Sequence, residues 1–424
     1  MKYNFDKVID RSGTSAEKVE GLKHIWGRTD LIPLWVADMD FATAPFVTDA
    51  IRKRCENEVL GYTGKPDSYY NAIINWVKQR YDLIVTKEVI NFVPGIVPGI
   101  GMAMNCFTQK GDKVMIQPPV YHPFAWVTTR NERTLVINPL KWENGMYRMD
   151  LDAFREQIKG CKLFILCNPH NPGGVVWTEA ELRAIADICY DEKVLVFSDE
   201  IHADLTLPPH THRPFATVSE KARMNSVTFM SPSKAFNMPG LSASHALIFN
   251  EDLRKRFRIY MDAGELDMGH VFAFLSVEAA YSHGTEWLDQ CLAYIQGNID
   301  FVDEFLKKHA PKIKAIRPEA SYLVWLDCRE LELSQKDLNE FFVDKAHLAL
   351  NDGEMFGKEG IGFMRLNVAS PRCIIEKAMK QLADTSQLYR WMLANHNPVI
   401  SPLFSPSVPS TNPDRHIPMS WKLR

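Results

Sequence analysis

The sequence predicts an α/β fold: a large domain with a mostly parallel sheet between helices, followed by a smaller α/β domain. Three observations predict it. Short apolar runs at 113–116, 134–137, 163–167, 194–198, 227–230 and 246–249 alternate with helical stretches, as in a parallel sheet covered on both faces. A long helical region from Trp287 to His309 then precedes two more strand-like runs, Tyr322–Leu326 and Gly362–Leu366, which fit a separate unit. A chain of 424 residues with 46% hydrophobic content can bury a large core and divide into two domains.

The elements follow in order. Pro45–Asn57 reads as a helix opening on a proline, and Ser68–Tyr81 as another, with Tyr69, Ile73, Trp76 and Val77 at helical spacing. Phe92–Ile100 is rich in proline and glycine and leads into a helical Gly101–Phe107. Free N–H groups at a helix start attract phosphate, and a plain turn has the same sequence. The run Leu163–Cys167 enters Asn168-Pro169-His170-Asn171-Pro172-Gly173-Gly174, where Asn171 can donate to a phenolate-type oxygen, although these pairs are also ordinary turn formers.

Val194–Phe197 runs into Ser198-Asp199-Glu200-Ile201-His202, which places Asp199 at the carboxyl end of a central strand, where open α/β sheets bind ligands. A carboxylate there needs a cationic partner such as a protonated ring nitrogen, and a helix cap would use the same residue equally well. Ser226–Met230 delivers Ser231-Pro232-Ser233-Lys234-Ala235-Phe236-Asn237. A lysine at the end of a buried strand loses hydration, which frees its amine to form a Schiff base with a carbonyl cofactor. Ser231 and Ser233 can hold a phosphate. Taken alone, Ser-x-Ser-Lys is a solvated loop far more often than a site.

The three motifs in this order resemble the pyridoxal-phosphate enzymes of fold type I, the class I/II aminotransferase superfamily, over most of the chain. Pro33-Leu34-Trp35-Val36-Ala37-Asp38-Met39-Asp40-Phe41, Asp199–Leu205 and Gly362–Asn367 are similar to its cystathionine β-lyase-like branch, the MalY/PatB type. The resemblance implies a seven-stranded sheet and pyridoxal 5'-phosphate as cofactor. It implies Lys234 as the Schiff-base lysine, Asp199 on the pyridine nitrogen, and Asn171 with His202 on the phenolate oxygen. Phosphate falls to Ser231, Ser233 and the N–H groups of Ile96 and Val97, with Tyr62 as a further cofactor contact. Tyr121 stacks on the ring, and Tyr62 extends into a neighbouring subunit's site, which implies a homodimer. Arg365 forks onto the substrate carboxylate, with Ala37 and Asn171 also at the substrate.

The implied domains are an N-terminal segment at 1–44 that joins the small domain, a large cofactor domain at 45–285, and a small domain at 286–394. A Pro/Ser-rich tail follows at 395–424. Two departures separate the chain from ordinary aminotransferases: no arginine in Gly240–His245, and His202 where a tyrosine is usual. Both resemble the β-lyase branch. The implied reaction is β-elimination on an S-substituted L-cysteine, most readily L-cystathionine, giving homocysteine, pyruvate and ammonia. Lys234 removes the α-proton, and Tyr121 or Tyr62 protonates the departing sulfur. Transamination with a 2-oxo acid shares the early steps and stays open, as does a regulatory protein-binding role.

Composition narrows the rest. A net charge of -3 gives no sign of nucleic-acid binding. No apolar segment follows the N-terminus and no run has the length of a membrane span, so a cytoplasmic protein without membrane partners is expected. The 8 cysteines are scattered, and Cys167, Cys189 and Cys328 sit in apolar runs as reduced core residues.

Overall fold

Seven short runs, most of them apolar and β-branched, pair into one sheet in the computed structural model, which describes residues 2–394. The tail at 395–424 lies outside the described residues. The strands are β1 (Ile90–Val93), β2 (Lys113–Ile116), β3 (Thr134–Ile137), β4 (Cys161–Cys167), β5 (Leu195–Asp199), β6 (Ser226–Met230) and β7 (Ser244–Leu247). Their order across the sheet is β1-β7-β6-β5-β4-β2-β3. Only β7 runs against its neighbours. Central strands β5 and β6 are almost wholly buried, as helices on both faces require, whereas edge strand β3 is half-buried at its centre and exposed at both ends.

The structure adjusts several sequence expectations. β1 departs from the sequence expectation: Phe92 and Val93, which open the Pro/Gly-rich run, are its last two residues. The final strand ends at Leu247 rather than Phe249. The helix expected from Gly101 begins at Ile96. Pro98 falls in its first turn, where a missing N–H costs no intrahelical bond and the fixed φ is already helical.

The chain forms two compact units. The larger comprises Ala42–Tyr294 with Pro318–Tyr322 and the first four residues. The smaller takes Phe5–Phe41, Ile295–Arg317 and residues 323–394.

In the smaller unit an antiparallel sheet orders β8 (Lys314–Ile316), β9 (Leu323–Asp327), β11 (Phe363–Asn367) and β10 (Asn351–Asp352) as β8-β9-β11-β10. The N-terminal strap is bound to this unit by Asp40 N–H on the Ala369 carbonyl at 2.8 Å and by Asn367 Nδ2 on the carbonyls of Val36 and Asp38, both at 2.7 Å. Beneath it the Lys18 ammonium, with a fully buried side chain, pairs with Asp40 at 2.8 Å, and Arg11 forks onto Asp38 at 2.6 and 3.2 Å. A buried ammonium is tolerated because carboxylates meet it. No helix among the described residues is long and apolar enough to cross a membrane.

Candidate active site

The sheet's register explains why distant motifs meet. Cys167 on β4 pairs with Asp199 on β5, which pairs with Phe229 on β6, so three adjacent strands end at nearly the same level. Asn168 N–H then donates to the Asp199 carbonyl at 2.9 Å, and Glu200 N–H to the Phe229 carbonyl at 2.9 Å. The loops carrying Asn171, Asp199 with His202, and Ser231 to Lys234 therefore leave from one edge. Val93 and Ile116 end parallel strands at that edge, so the Ile96 helix and Tyr121 start there too. Ile96, Cys167 and Phe229 share one apolar cluster, and Tyr121 and Ile201 pack against it.

Asp199 is buried, and burial pushes its carboxyl up to about 7. The Ile201 N–H, 3.1 Å from Oδ1, pulls it back, the Glu200 charge raises it further, and the Lys234 charge lowers it. A carboxylate held at such cost fits a cationic partner. His202 and Asn171 are buried beside it in sequence and register, and Lys234 is half-buried. Asn237, three residues on, has φ +53°, a left-handed conformation that asparagine tolerates. Thr43 Oγ1 holds its carbonyl at 2.7 Å.

Ser231 and Ser233 are both buried, and Ser231 Oγ lies 2.8 Å from the Ala243 carbonyl and 2.7 Å from Ser233 Oγ. The hydroxyl of Ser231 thus closes the turn, while Ser233 Oγ, 3.5 Å from that carbonyl, is the less committed of the two. At the helix Ile96–Phe107 the N-cap is Gly95, with φ +126° and no side-chain acceptor to offer the N–H groups of Ile96 and Val97. Gly174 closes the Asn-Pro-His-Asn-Pro loop at φ +68°, and a Cβ there would come within 2.4 Å of Pro318 Cβ. Only glycine fits.

Tyr62 is 96% exposed on the loop after Cys55, near exposed Val59 and Leu60, and lines an open concavity of about 610 Å³ with Met268 and His270. Arg365 and Ala37 belong to the smaller unit. Arg365 pairs across strands with Asn351, whose Oδ1 accepts from its NH2 at 2.5 Å, and the same nitrogen lies 3.3 Å from the Trp35 carbonyl. Its guanidinium stacks 4.7 Å from the Phe356 ring centroid. Ala37 is half-buried on the strap.

Residues 29–382 match the model of the family "Aminotransferase class I and II". The chain belongs to that family. It is 38% identical to cystathionine beta-lyase PatB of Bacillus subtilis (strain 168) over 381 residues, 89% of this chain and 98% of that protein. A pyridoxal-phosphate-bound structure from Clostridium difficile 630, described as an aminotransferase, superposes with a TM-score of 0.89 at 40% identity, over 91% of this chain and all of that one. The pyridoxal-phosphate-bound C-S lyase of Staphylococcus hominis superposes at 0.84 with 35% identity, over 91% of this chain and 98% of that one. This family member has the seven-stranded fold type I sheet expected from its sequence.

Sequence reading missed the residues that hold the site together. Glu200 and Asp204 lie within the Asp199–Leu205 motif, but their partners, like those of Arg365, come from other segments up to 123 residues away, and no local pattern marks His212, Phe215 or Asn351.

Proposed function

We propose that this protein is a pyridoxal-phosphate-dependent carbon-sulfur lyase that carries out β-elimination on an S-substituted L-cysteine, with L-cystathionine giving homocysteine, pyruvate and ammonia. The observation that carries the reading is Asp199, a buried carboxylate with its proton affinity raised, at the edge from which the Lys234 and Asn171 loops leave. The likeness to a cystathionine β-lyase and a C-S lyase supports the same reaction. The residues fit the cofactor: an uncapped helix start and Ser233 suit a phosphate, Asp199 suits a ring nitrogen, and Asn171 with His202 suits a phenolate oxygen.

Bound pyridoxal 5'-phosphate supplies an electron sink for the charge left when the substrate's α-proton departs. The chain's own work is placement and proton movement. Arg365 takes the substrate carboxylate in a two-pronged grip, its fork held from behind by Asn351 and the Trp35 carbonyl, with Ala37 on the neighbouring strap. With the cofactor bound, Lys234 Nζ would take the proton from Cα, Asp199 would hold a proton on the ring nitrogen, and Tyr121 or Tyr62 would give a proton to the sulfur leaving Cβ. Tyr121 would also cover the ring face of the bound cofactor, and Val97 and Ile96 would present their N–H groups to its phosphate.

A homodimer completes this reading. Tyr62, Val59 and Leu60 form an exposed apolar loop of the kind that a second subunit covers, and Tyr62 then serves the partner's site. A cytoplasmic location accords with the expected chemistry.

The test is L-cystathionine with the cofactor-loaded protein and no 2-oxo acid, following pyruvate and free thiol together. Sustained release of both is expected. A single half-turnover that resumes only when a 2-oxo acid is added would establish transamination instead.

A further inference from the structure

Asp199 is the last residue of β5, and Glu200 follows it with its N–H still on the Phe229 carbonyl of β6 at 2.9 Å, so the strand's alternation places the two side chains on opposite faces of the sheet. Asp199 faces the candidate site, and Glu200 shares its face with Ser198, whose Oγ donates to Glu200 Oε1 at 2.8 Å. The other partners of Glu200 come from one short segment, His212-Arg213-Pro214-Phe215. His212 Nε2 meets Oε2 at 2.8 Å, and Phe215 N–H donates to Oε1 at 2.8 Å. The same segment accepts from the other strand end, because Asn168 Nδ2 donates to the Arg213 carbonyl at 3.1 Å. Four residues thus tie down the origins of both the Asp199 loop and the Asn171 loop.

Burial makes this arrangement costly to loosen. The side chains of Glu200 and His212 are 0% and 1% exposed. A buried carboxylate that lost these partners would be left with an uncompensated charge. Behind His212 the ring of Tyr81 packs edge-on at 5.5 Å, and the Tyr81 hydroxyl donates to Asp204, which also accepts from Trp76 Nε1 at 2.9 Å. Asp204 thereby anchors the far end of the segment that carries Asp199 and His202.

We propose that Glu200, held by His212 and Phe215, is a positioning residue for Asp199: it fixes that carboxylate against the cofactor's ring nitrogen and adds negative potential there. The inference rests on the cofactor-dependent reading above. The charged and titratable groups around Glu200 are Asp199 at its own strand end, Asp204 in the short helix Ala203–Leu205 that follows, His212 and Tyr81 behind it, and Lys234, whose charge reaches Asp199. Glu200 raises the proton affinity of Asp199, and the same field favours a proton on a ring nitrogen bound there.

The experiment uses the cofactor-loaded protein and two readouts besides turnover: the dissociation constant for pyridoxal 5'-phosphate and the pH midpoint of the bound cofactor's absorbance change. Glu200→Gln keeps an oxygen for Ser198 and Phe215 and removes the charge. It is expected to lower the midpoint by on the order of one pH unit and weaken cofactor binding roughly tenfold. His212→Gln keeps a donor to Glu200 and is expected to stay near wild type, whereas His212→Leu removes it and is expected to weaken cofactor binding. Glu200→Gln with both readouts at wild-type values overturns the proposal. Should that variant not fold, equal readouts for His212→Leu and His212→Gln overturn it as well. Failure of the wild-type protein to take up pyridoxal phosphate would instead sink the cofactor reading itself.

Discussion

Replacing Asp199 by asparagine should stabilise the cofactor-free protein at the same time as it removes function, and the gain should grow with pH. In the folded protein the Asp199 carboxyl titrates at about 7 against an ordinary value of 3.8, chiefly because it is buried. Between those values the folded state holds a proton that the unfolded chain has released. Stability contributed by this group is therefore full below the unfolded value and falls as pH rises toward the folded value. The interval is about three units, and at about 1.36 kcal/mol per unit the whole loss approaches about 4 kcal/mol. An asparagine of nearly the same shape carries no charge and has no such slope. Its advantage over wild type should widen by about 2 to 3 kcal/mol between about pH 5 and pH 8.

Urea midpoints of the two cofactor-free proteins at both pH values measure that widening directly, since other titrating groups cancel in the difference. With pyridoxal phosphate bound the order should reverse, because only the carboxylate can pair with a protonated ring nitrogen. An advantage that is the same at both pH values would refute the argument that burial strains Asp199.

Three other outcomes are expected. Gly174→Ala combines a left-handed φ of +68° with an approach of 2.4 Å to Pro318, whereas Gly145→Ala at φ +83° meets nothing within 4 Å. The first should cost about 2 to 4 kcal/mol and the second about 1 kcal/mol, and thermal melts that show equal losses would mean the loop yields easily. If Arg365 grips the substrate carboxylate as proposed, Arg365→Ala should raise KM on the order of a hundredfold, with the pyridoxal-phosphate dissociation constant nearly unchanged. Titration of both constants separates that role from one at the cofactor. Lys234→Ala should abolish pyruvate release and the Schiff-base absorbance while leaving the circular dichroism spectrum intact, because the half-buried lysine is not part of the apolar core.

Much of this molecule is written in local sequence. The six strands expected in the large sheet are present, as are the helices at Pro45 and near Ser68, because apolar runs ending in turn residues have few other ways to satisfy their backbone. The fold and the family were legible in the same way, since Lys234, Asp199 and Asn171 each follow a strand and their order along the chain identifies the architecture. Local reading fell short where a pattern had two uses. Pro98 suits a turn or a first helical turn, and only the packing of Gly99 against Val93 and Phe229 selects the helix. Ser231 and Ser233 look alike in sequence, yet the Ala243 carbonyl ties down Ser231 more closely.

What the sequence determined by itself is the set of side chains at strand ends, because strand and turn propensities act over a few residues. What only the tertiary structure decided is how those side chains are held and charged. The proton affinity of Asp199 depends on burial under distant elements, the support of Glu200 comes from His212 and Phe215, and the fork of Arg365 is aimed by Asn351 on the adjoining strand. Desolvation and cross-strand hydrogen bonds are properties of the assembled core, so they have no signature until the chain has folded.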